Sequence, residues 1–360
     1  MTEYHLTRDQ YLELEKIGLG AFNPLTGFMR EDEFNSVVKD LRLPGGQVFP
    51  LPVVLDVDAA TAARMRGRPR VSLVFDGVAV GEITPESIYR CDKQQVALRV
   101  FGTNDAAHPG VRNFISGGDF FVGGSISLAR RTTFDISQYE LTPQQTKAEF
   151  SKRGWRTIAG FQTRNVPHRS HEYLQRVALE QADGLFIQPL VGRKRANDYT
   201  PQSIMTGYRT LISQFYRPER VLLGILSTAM RYAGPREAMF HALIRRNYGC
   251  THFIIGRDHA GVGSYYKKYE AHELVGRYQH ELGIEILFLH GPYYCRRCDG
   301  IVTEKTCPHL ETDPAATTEI SGTMMRSMLS GGKAPDVHLM RPEVVDSLRG
   351  IQLFITEDDS

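Results

Sequence analysis

The spacing of apolar and polar positions changes near residue 150. Before it, short β-like runs occur at Phe49–Asp56, Arg70–Phe75, Val78–Ile83, Gln95–Phe101 and Phe120–Leu128. Gly, Pro and Asp separate them, as between the strands of a compact barrel or folded sheet. Short helices are predicted at Arg8–Ile17, Arg30–Lys39 and Ala59–Arg66. After it, strand-like and helix-like segments alternate. Arg156–Gln162 leads into helix His168–Ala182, and Leu185–Leu190 is followed by helix Pro201–Phe215. Arg220–Leu226 precedes helix Pro235–Asn247, Thr251–Ile255 precedes helix Ser264–His280, and Ile284–Leu289 ends the series. Such alternation predicts βαβ units around a parallel sheet, with ligands beyond the carboxyl ends of its strands. The last stretch holds short helices at Arg326–Leu329 and Glu343–Leu348. The expected division is a β-rich domain over 1–145, an α/β domain over 146–310 and a small segment over 311–360.

The turn after the first α/β strand reads Gln162-Thr-Arg-Asn-Val-Pro-His-Arg-Ser-His171. Free N–H groups and the positive dipole end of a helix make such a turn an anion site. His168 and His171 are i and i+3, one face of a helix. Two imidazoles, a guanidinium and two amides there suit a phosphate that gains negative charge during reaction. An isolated H-x-x-H is weak, since it also describes solvated histidines or half of a metal site. A second string, Gly256-Arg-Asp-His-Ala-Gly-Val-Gly263, again lies between an apolar strand and a predicted helix. Its glycines let backbone approach a phosphate closely, and Asp258 reads as an orienter or helix cap. Gln188-Pro-Leu-Val-Gly192 runs into Arg193-Lys-Arg195, either a solvated loop or a flap whose cations hold pyrophosphate. Ser321-Gly-Thr323, with Arg326, is an ordinary helix N-cap that could also stand near a triphosphate.

Three of the five cysteines, Cys295, Cys298 and Cys307, fall close together, and His309 follows in the pattern C-x2-C-x8-C-x-H. Cys3His spacing of this kind fits a structural zinc site, the alternative being a loop of reduced thiols. Cys250 reads as a buried small hydrophobe. Composition narrows the partners. Among 360 residues, 43 are basic and 41 acidic, a net charge of +2 that gives no support for nucleic-acid or membrane binding. A run of about 18 apolar residues, which a membrane helix needs, does not occur. The polar Met1–Gln10 lacks a signal-peptide core, so a cytoplasmic location is expected. No G-x-S-x-G nucleophile motif and no G-x-x-x-x-G-K-[ST] loop occur.

The 162–171 string resembles the Q-T-R-N-x-x-H-x-x-H motif of the ATP sulfurylase (sulfate adenylyltransferase) family. Val166-Pro167 departs from the family's common form, which places Pro directly after Asn. Gly256–Gly261 resembles the family's G-R-D-H-A-G element, and Pro189–Gly192 its P-L-V-G turn. Gly20–Met29, Pro50–Pro52, His108–Val111 and Val122–Gly124 resemble elements of its N-terminal domain. The resemblance implies a PUA-like β-rich domain, a Rossmann-like nucleotidyltransferase domain and a small C-terminal segment. It implies an unfused enzyme in which sulfate attacks the α-phosphorus of ATP in line and pyrophosphate leaves, giving adenylylsulfate. By that resemblance Thr163, Arg164, Asn165, His168 and His171 form the catalytic turn. Gln162, Arg164, Asn165 and Gly256, Arg257, Asp258 and His259 would hold the nucleotide, with Arg257 on the pyrophosphate side. Gln162, Arg164 and the backbone N–H of Ala260 would face sulfate. Mg²⁺ would ride on ATP, zinc would staple the Cys/His loop, and a homodimer or higher homo-oligomer is expected. The other readings are an adenylyltransferase with another acceptor and a silent ATP-binding paralogue.

Overall fold

A computed structural model describes residues 2–134, 136–192 and 196–356. Seven strands form the first sheet: β1 (Thr2–His5), β2 (Gly27–Phe28), β3 (Leu55–Val57), β4 (Val71–Phe75), β5 (Val78–Ile83), β6 (Ser87–Tyr89) and β7 (Phe120–Leu128). The long β7 pairs antiparallel with β2, β3, β5 and β6, and so holds the sheet together. Its glycines permit this: a Cβ on Gly123 would lie 2.3 Å from the carbonyl oxygen of Met29, and one on Gly124 1.9 Å from that of Thr84.

One predicted strand is a helix. Gln95–Phe101 belongs to the helix Lys93–Phe101, whose start is capped by Asp92 Oδ1 accepting the N–H groups of Gln94 and Gln95. Val96, Ala97, Val100 and Phe101 are buried at helical spacing, and Gly102 ends the helix in the left-handed region. Of Phe49–Asp56, the strand β3 takes in just Leu55 and Asp56.

Five parallel strands form the second sheet: β8 (Ile158–Thr163), β9 (Gly184–Pro189), β10 (Val221–Leu223), β11 (His252–Ile255) and β12 (Glu285–Phe288), in the order β10-β9-β8-β11-β12. Successive side chains point to opposite faces, and both faces are covered. Ile158, Phe186, Phe253, Ile255 and Ile286 enter the core that also contains the first sheet. Ala159, Phe161, Leu185, Ile187, Ile254 and Leu287 enter a second core beneath the helices Arg169–Leu179, Pro201–Phe215, Gly322–Ser330 and Pro342–Ser347. The chain order reverses between β8 and β11.

The first core is continuous across both sheets. Phe240, on the buried helix Gly234–Asn247, lies 5.0 Å from Phe22 and 5.6 Å from Phe49, ring centre to ring centre. Beside it, the fully buried Lys16 pairs with Glu15 and, at 2.8 Å, with Glu140. A small antiparallel sheet of β13 (Tyr293–Cys295), β14 (Gly300–Val302) and β15 (Thr317–Glu319) carries the cysteine cluster. The predicted helix Ser264–His280 begins only at Glu270.

Candidate active site

The turns that follow β8 and β11 face one cavity of about 400 Å³. The β8 turn contributes Gln162, Thr163, Arg164, Asn165, His168 and His171; the β11 turn contributes Gly256, Arg257, Asp258, His259 and Ala260. Two motifs about ninety residues apart in sequence thus meet where the strand order reverses, the position at which open parallel sheets bind ligands.

His168 is the N-cap of the helix Arg169–Leu179 rather than part of it. Its Nδ1 accepts the His171 N–H at 3.4 Å, so its own proton belongs on Nε2. The two rings stack, with centroids 3.7 Å apart. The buried Tyr208 hydroxyl stands 3.3 Å from His171 Nδ1; with Tyr208 as donor, His171 also carries its proton on Nε2. Arg164 Nη1 donates to the Tyr232 hydroxyl at 3.2 Å, and its guanidinium stacks 5.0 Å from that ring. The departure at Val166-Pro167 is absorbed by packing. Val166 is fully buried in the second core, and Pro167 sits against Gly207, where a Cβ would meet it at 2.8 Å.

Asn165 closely approaches the opposite wall, since a Cβ on Gly322 would lie 2.6 Å from its Nδ2. Its Oδ1 is buried without a protein partner. Ser321 does both things considered from sequence: its Oγ caps the Gly322–Ser330 helix by accepting the Met324 N–H, and Ser321, Gly322, Thr323 and Arg326 line the cavity.

The β11 turn differs from expectation. No helix follows it directly, so Asp258 is not a helix cap and no helix dipole points from there. The turn curls through Asp258 and Ala260, both with positive φ (49° and 60°). Non-glycine residues rarely hold this conformation without support from their surroundings. Here Asp258 N–H donates to Lys268 O at 2.9 Å. Arg257 is ion-paired to Glu319 at 2.5 Å.

Burial holds the site imidazoles neutral. It pushes His168 down to about 3, with Arg257 adding to the effect, and His259 down to about 3, with Arg245 adding. His171, next to His168, and His241, next to His259, lie well below the ordinary range for the same reason. Unfolded, each would titrate near 6.5. Between about pH 3 and 6.5 the unfolded chain therefore binds protons that the folded chain does not. The stability these rings contribute is complete above that window and is lost as pH falls through it. Calorimetry near pH 5.5 should show proton uptake on unfolding, smaller by about one proton in His241→Asn. Equal uptake in both would refute the neutral ring.

In the third sheet, Cys295, Cys298 and Cys307 place their sulfurs 3.4, 3.3 and 3.4 Å from His309 Nδ1, and Cys298 and Cys307 are 3.5 Å apart. All four donor atoms lie within 4.8 Å of one another. Bonds of about 2.3 Å to sulfur put tetrahedral ligand atoms about 3.8 Å apart, so this donor set fits such an ion. Cys250 is buried behind β8, where burial pushes its thiol up to about 12. Gln188 is fully buried, with its carbonyl accepting from Arg245 at 2.9 Å, a structural role. Arg193, Lys194 and Arg195 lie outside the described residues.

A family model described as ATP-sulfurylase matches residues 137–350, and one described as PUA-like domain matches residues 1–131. The chain belongs to the ATP-sulfurylase family. It is 44% identical over 356 residues to a protein of Hyperthermus butylicus named sulfate adenylyltransferase, covering 99% of this chain and 90% of that one. It is 45% identical to a protein of the same name from Symbiobacterium thermophilum, covering 94% and 86%. A solved structure titled hexameric APS kinase, from Thiobacillus denitrificans, superposes with a TM-score of 0.73 at 21% identity; this chain spans 97% of itself and 62% of that longer chain. That likeness concerns the fold. Within the family frame, the N-terminal sheet is PUA-like and the parallel sheet carries the cavity. Tyr208 and Tyr232 were missed in the sequence, because each acts on a motif residue from a distant segment. No helix is long and apolar enough to cross a membrane among the described residues.

Proposed function

We propose that this chain is a sulfate adenylyltransferase: a sulfate oxygen bonds to the α-phosphorus of ATP, the bond to the β-phosphate oxygen breaks, and pyrophosphate leaves. The meeting of the β8 and β11 turns in one cavity carries this reading. His168 and His171, neutral and stacked, would offer Nε2–H groups to the oxygens of the reacting α-phosphate. Preorganised neutral donors suit charge that grows only in the transition state. Arg164 would hold sulfate through two parallel N–H bonds, a geometry Lys cannot reproduce, with Gln162 and the Ala260 N–H completing that side. Asn165 Oδ1, buried and without a protein donor, suits a nucleotide hydroxyl or amino group. Gly256, Asp258 and His259 would flank the nucleotide, and Arg257 would leave Glu319 for pyrophosphate. Thr163 keeps the turn in shape, its Oγ1 accepting the Asn165 N–H at 3.1 Å. Mg²⁺ enters on the ATP phosphates and offsets their charge. Zinc is the proposed ion of the Cys295/Cys298/Cys307/His309 cluster. A homo-oligomer in the cytoplasm completes the proposal, with domains at 1–145, 146–310 and 311–360.

The test is pyrophosphate release from ATP and Mg²⁺ with and without sulfate, and ATP formation from adenylylsulfate and pyrophosphate. Sulfate-dependent release in the wild type, lowered about 100-fold or more in Arg164→Lys, is expected. Release that is independent of sulfate would point to another acceptor, and no turnover in either direction to a silent paralogue. A mild effect of Arg164→Lys would remove the paired N–H contact.

A further inference from the structure

Behind the cavity, residues 231–234 form a turn that no motif above includes. Tyr232 has φ 60° and Gly234 φ 49°. A non-glycine residue in that region needs its neighbours to hold it. The holder is Glu237, fully buried one turn into the following helix. Its Oε1 accepts the Arg231 N–H at 2.8 Å and its Oε2 the Ala233 N–H at 2.9 Å, so one carboxylate brackets Tyr232 on both sides.

The turn reaches the site by two routes. The Tyr232 hydroxyl accepts from Arg164 Nη1, and the Gly234 N–H donates to the Ala260 carbonyl at 3.2 Å. Arg164 and Ala260 are the two sides of the proposed sulfate pocket. A third route leaves Glu237 itself. Its Oε1 lies 3.6 Å from His241 Nε2, and His241 Nδ1 is 3.1 Å from His259 Nε2. A proton on His241 Nε2 faces the carboxylate and is favoured there. His241 Nδ1 is then the acceptor, and His259 must carry its proton on Nε2. Both rings are neutral, as the site's burial requires.

We propose that Glu237 is a positioning residue that sets both walls of the oxyanion pocket, aiming Arg164 and Ala260 through the Tyr232 turn and fixing the protonated nitrogen of His259 through His241. This rests on the sulfate reading for its effect on turnover, but not for its effect on the rings. Glu237→Gln keeps the size of the side chain and can accept only one of the two N–H groups well. It should raise the KM for sulfate about ten-fold or more, the scale of one charge-assisted hydrogen bond, and raise the KM for ATP as well, since His259 flanks the nucleotide. Tyr232→Phe should raise the sulfate KM alone.

The readout that a purely structural role would not move is the ¹⁵N spectrum of the imidazoles. Wild type should show His259 protonated on Nε2, Glu237→Gln a changed or mixed tautomer, and Tyr232→Phe the wild-type pattern. His241→Asn, whose Oδ1 can replace the accepting Nδ1, should preserve the His259 tautomer, whereas His241→Leu should not. Should Glu237→Gln fail to fold, the Tyr232 and His241 variants answer the same two questions. A folded Glu237→Gln with unchanged sulfate KM and unchanged His259 tautomer overturns the proposal. So does a His259 tautomer indifferent to both His241 changes. If wild type releases no pyrophosphate with sulfate, the functional reading fails, and the spectra still decide the positioning role.

Discussion

Alanine at His171 should reduce sulfate-dependent pyrophosphate release at least 100- to 1,000-fold, about the cost of removing one preorganised donor to a developing oxyanion. The protein should remain folded. His171 is the better choice of the stacked pair because His168 has a second task. His168 Nδ1 caps the helix Arg169–Leu179, and losing a cap costs about 1 kcal/mol of stability besides any catalytic loss. His171 has no such duty: its ring lies over His168 and beside Phe161, 5.3 Å away, and meets the Tyr208 hydroxyl. The hole left by alanine opens toward a polar cavity, so solvent can fill it. The loss should fall on kcat rather than on the KM for ATP, because a neutral donor gains most when the phosphate gains charge. The measurement is steady-state pyrophosphate release beside circular dichroism. Near-normal kcat in a folded variant would remove His171 from the transition state and leave His168 as its imidazole donor.

What could be read from sequence depended on the range of the interactions that fix each element. The β8 turn was legible because its anion-site features are contiguous, from Gln162 to His171. The parallel sheet was legible because β9 and β11 are apolar on both faces, as double coverage demands. Gln95–Phe101 was misread because its residues alternate acceptably as a strand, and the decisive caps, Asp92 and Gly102, lie outside the run. The stretch from Ser264 to Tyr269 was read as helix, yet it stays irregular. Asp258 N–H bonds to Lys268 O there, and Tyr266 donates to Tyr232 O at 2.9 Å. These are long-range contacts with no local signature. Lys16 and Glu237 were illegible as buried charges. A charged residue in a helix normally reads as solvent-facing, and only the folded chain brings Glu140 to Lys16; the Tyr232 turn is near Glu237 in sequence, but its positive φ, which makes it bend back onto the carboxylate, has no signature there.

Serine in place of Cys307 should have the largest effect on stability, through the metal cluster. Purified wild type should hold about one zinc per chain, and Cys307→Ser should hold far less. Because a thiolate set is built only in the folded state, metal binding energy adds to folding energy. One face of the small sheet meets the second core through Tyr294 and Ile301, but the face that carries the cysteines has little else to stabilise it. Its apolar cluster consists of Tyr293, Cys295 and Cys307 with Val302 and Leu310 beside them, and two of those belong to the proposed donor set. Loss of the ion should therefore lower the melting temperature by about 10 °C or more, seen as an early partial transition. Activity should fall with it. Glu319 on β15 pairs with Arg257, and Gly291, Pro292 and Ile320 line the cavity next to the same sheet. The controls are Cys250→Ser and Cys91→Ser, which should alter neither zinc content nor the Arg257 side of the site. A chelator at neutral pH should reproduce the Cys307→Ser behaviour in wild type, and added zinc should reverse it. A metal-free preparation that melts as the untreated protein does would show that packing alone holds the sheet and that the four donors, though close enough, support no ion.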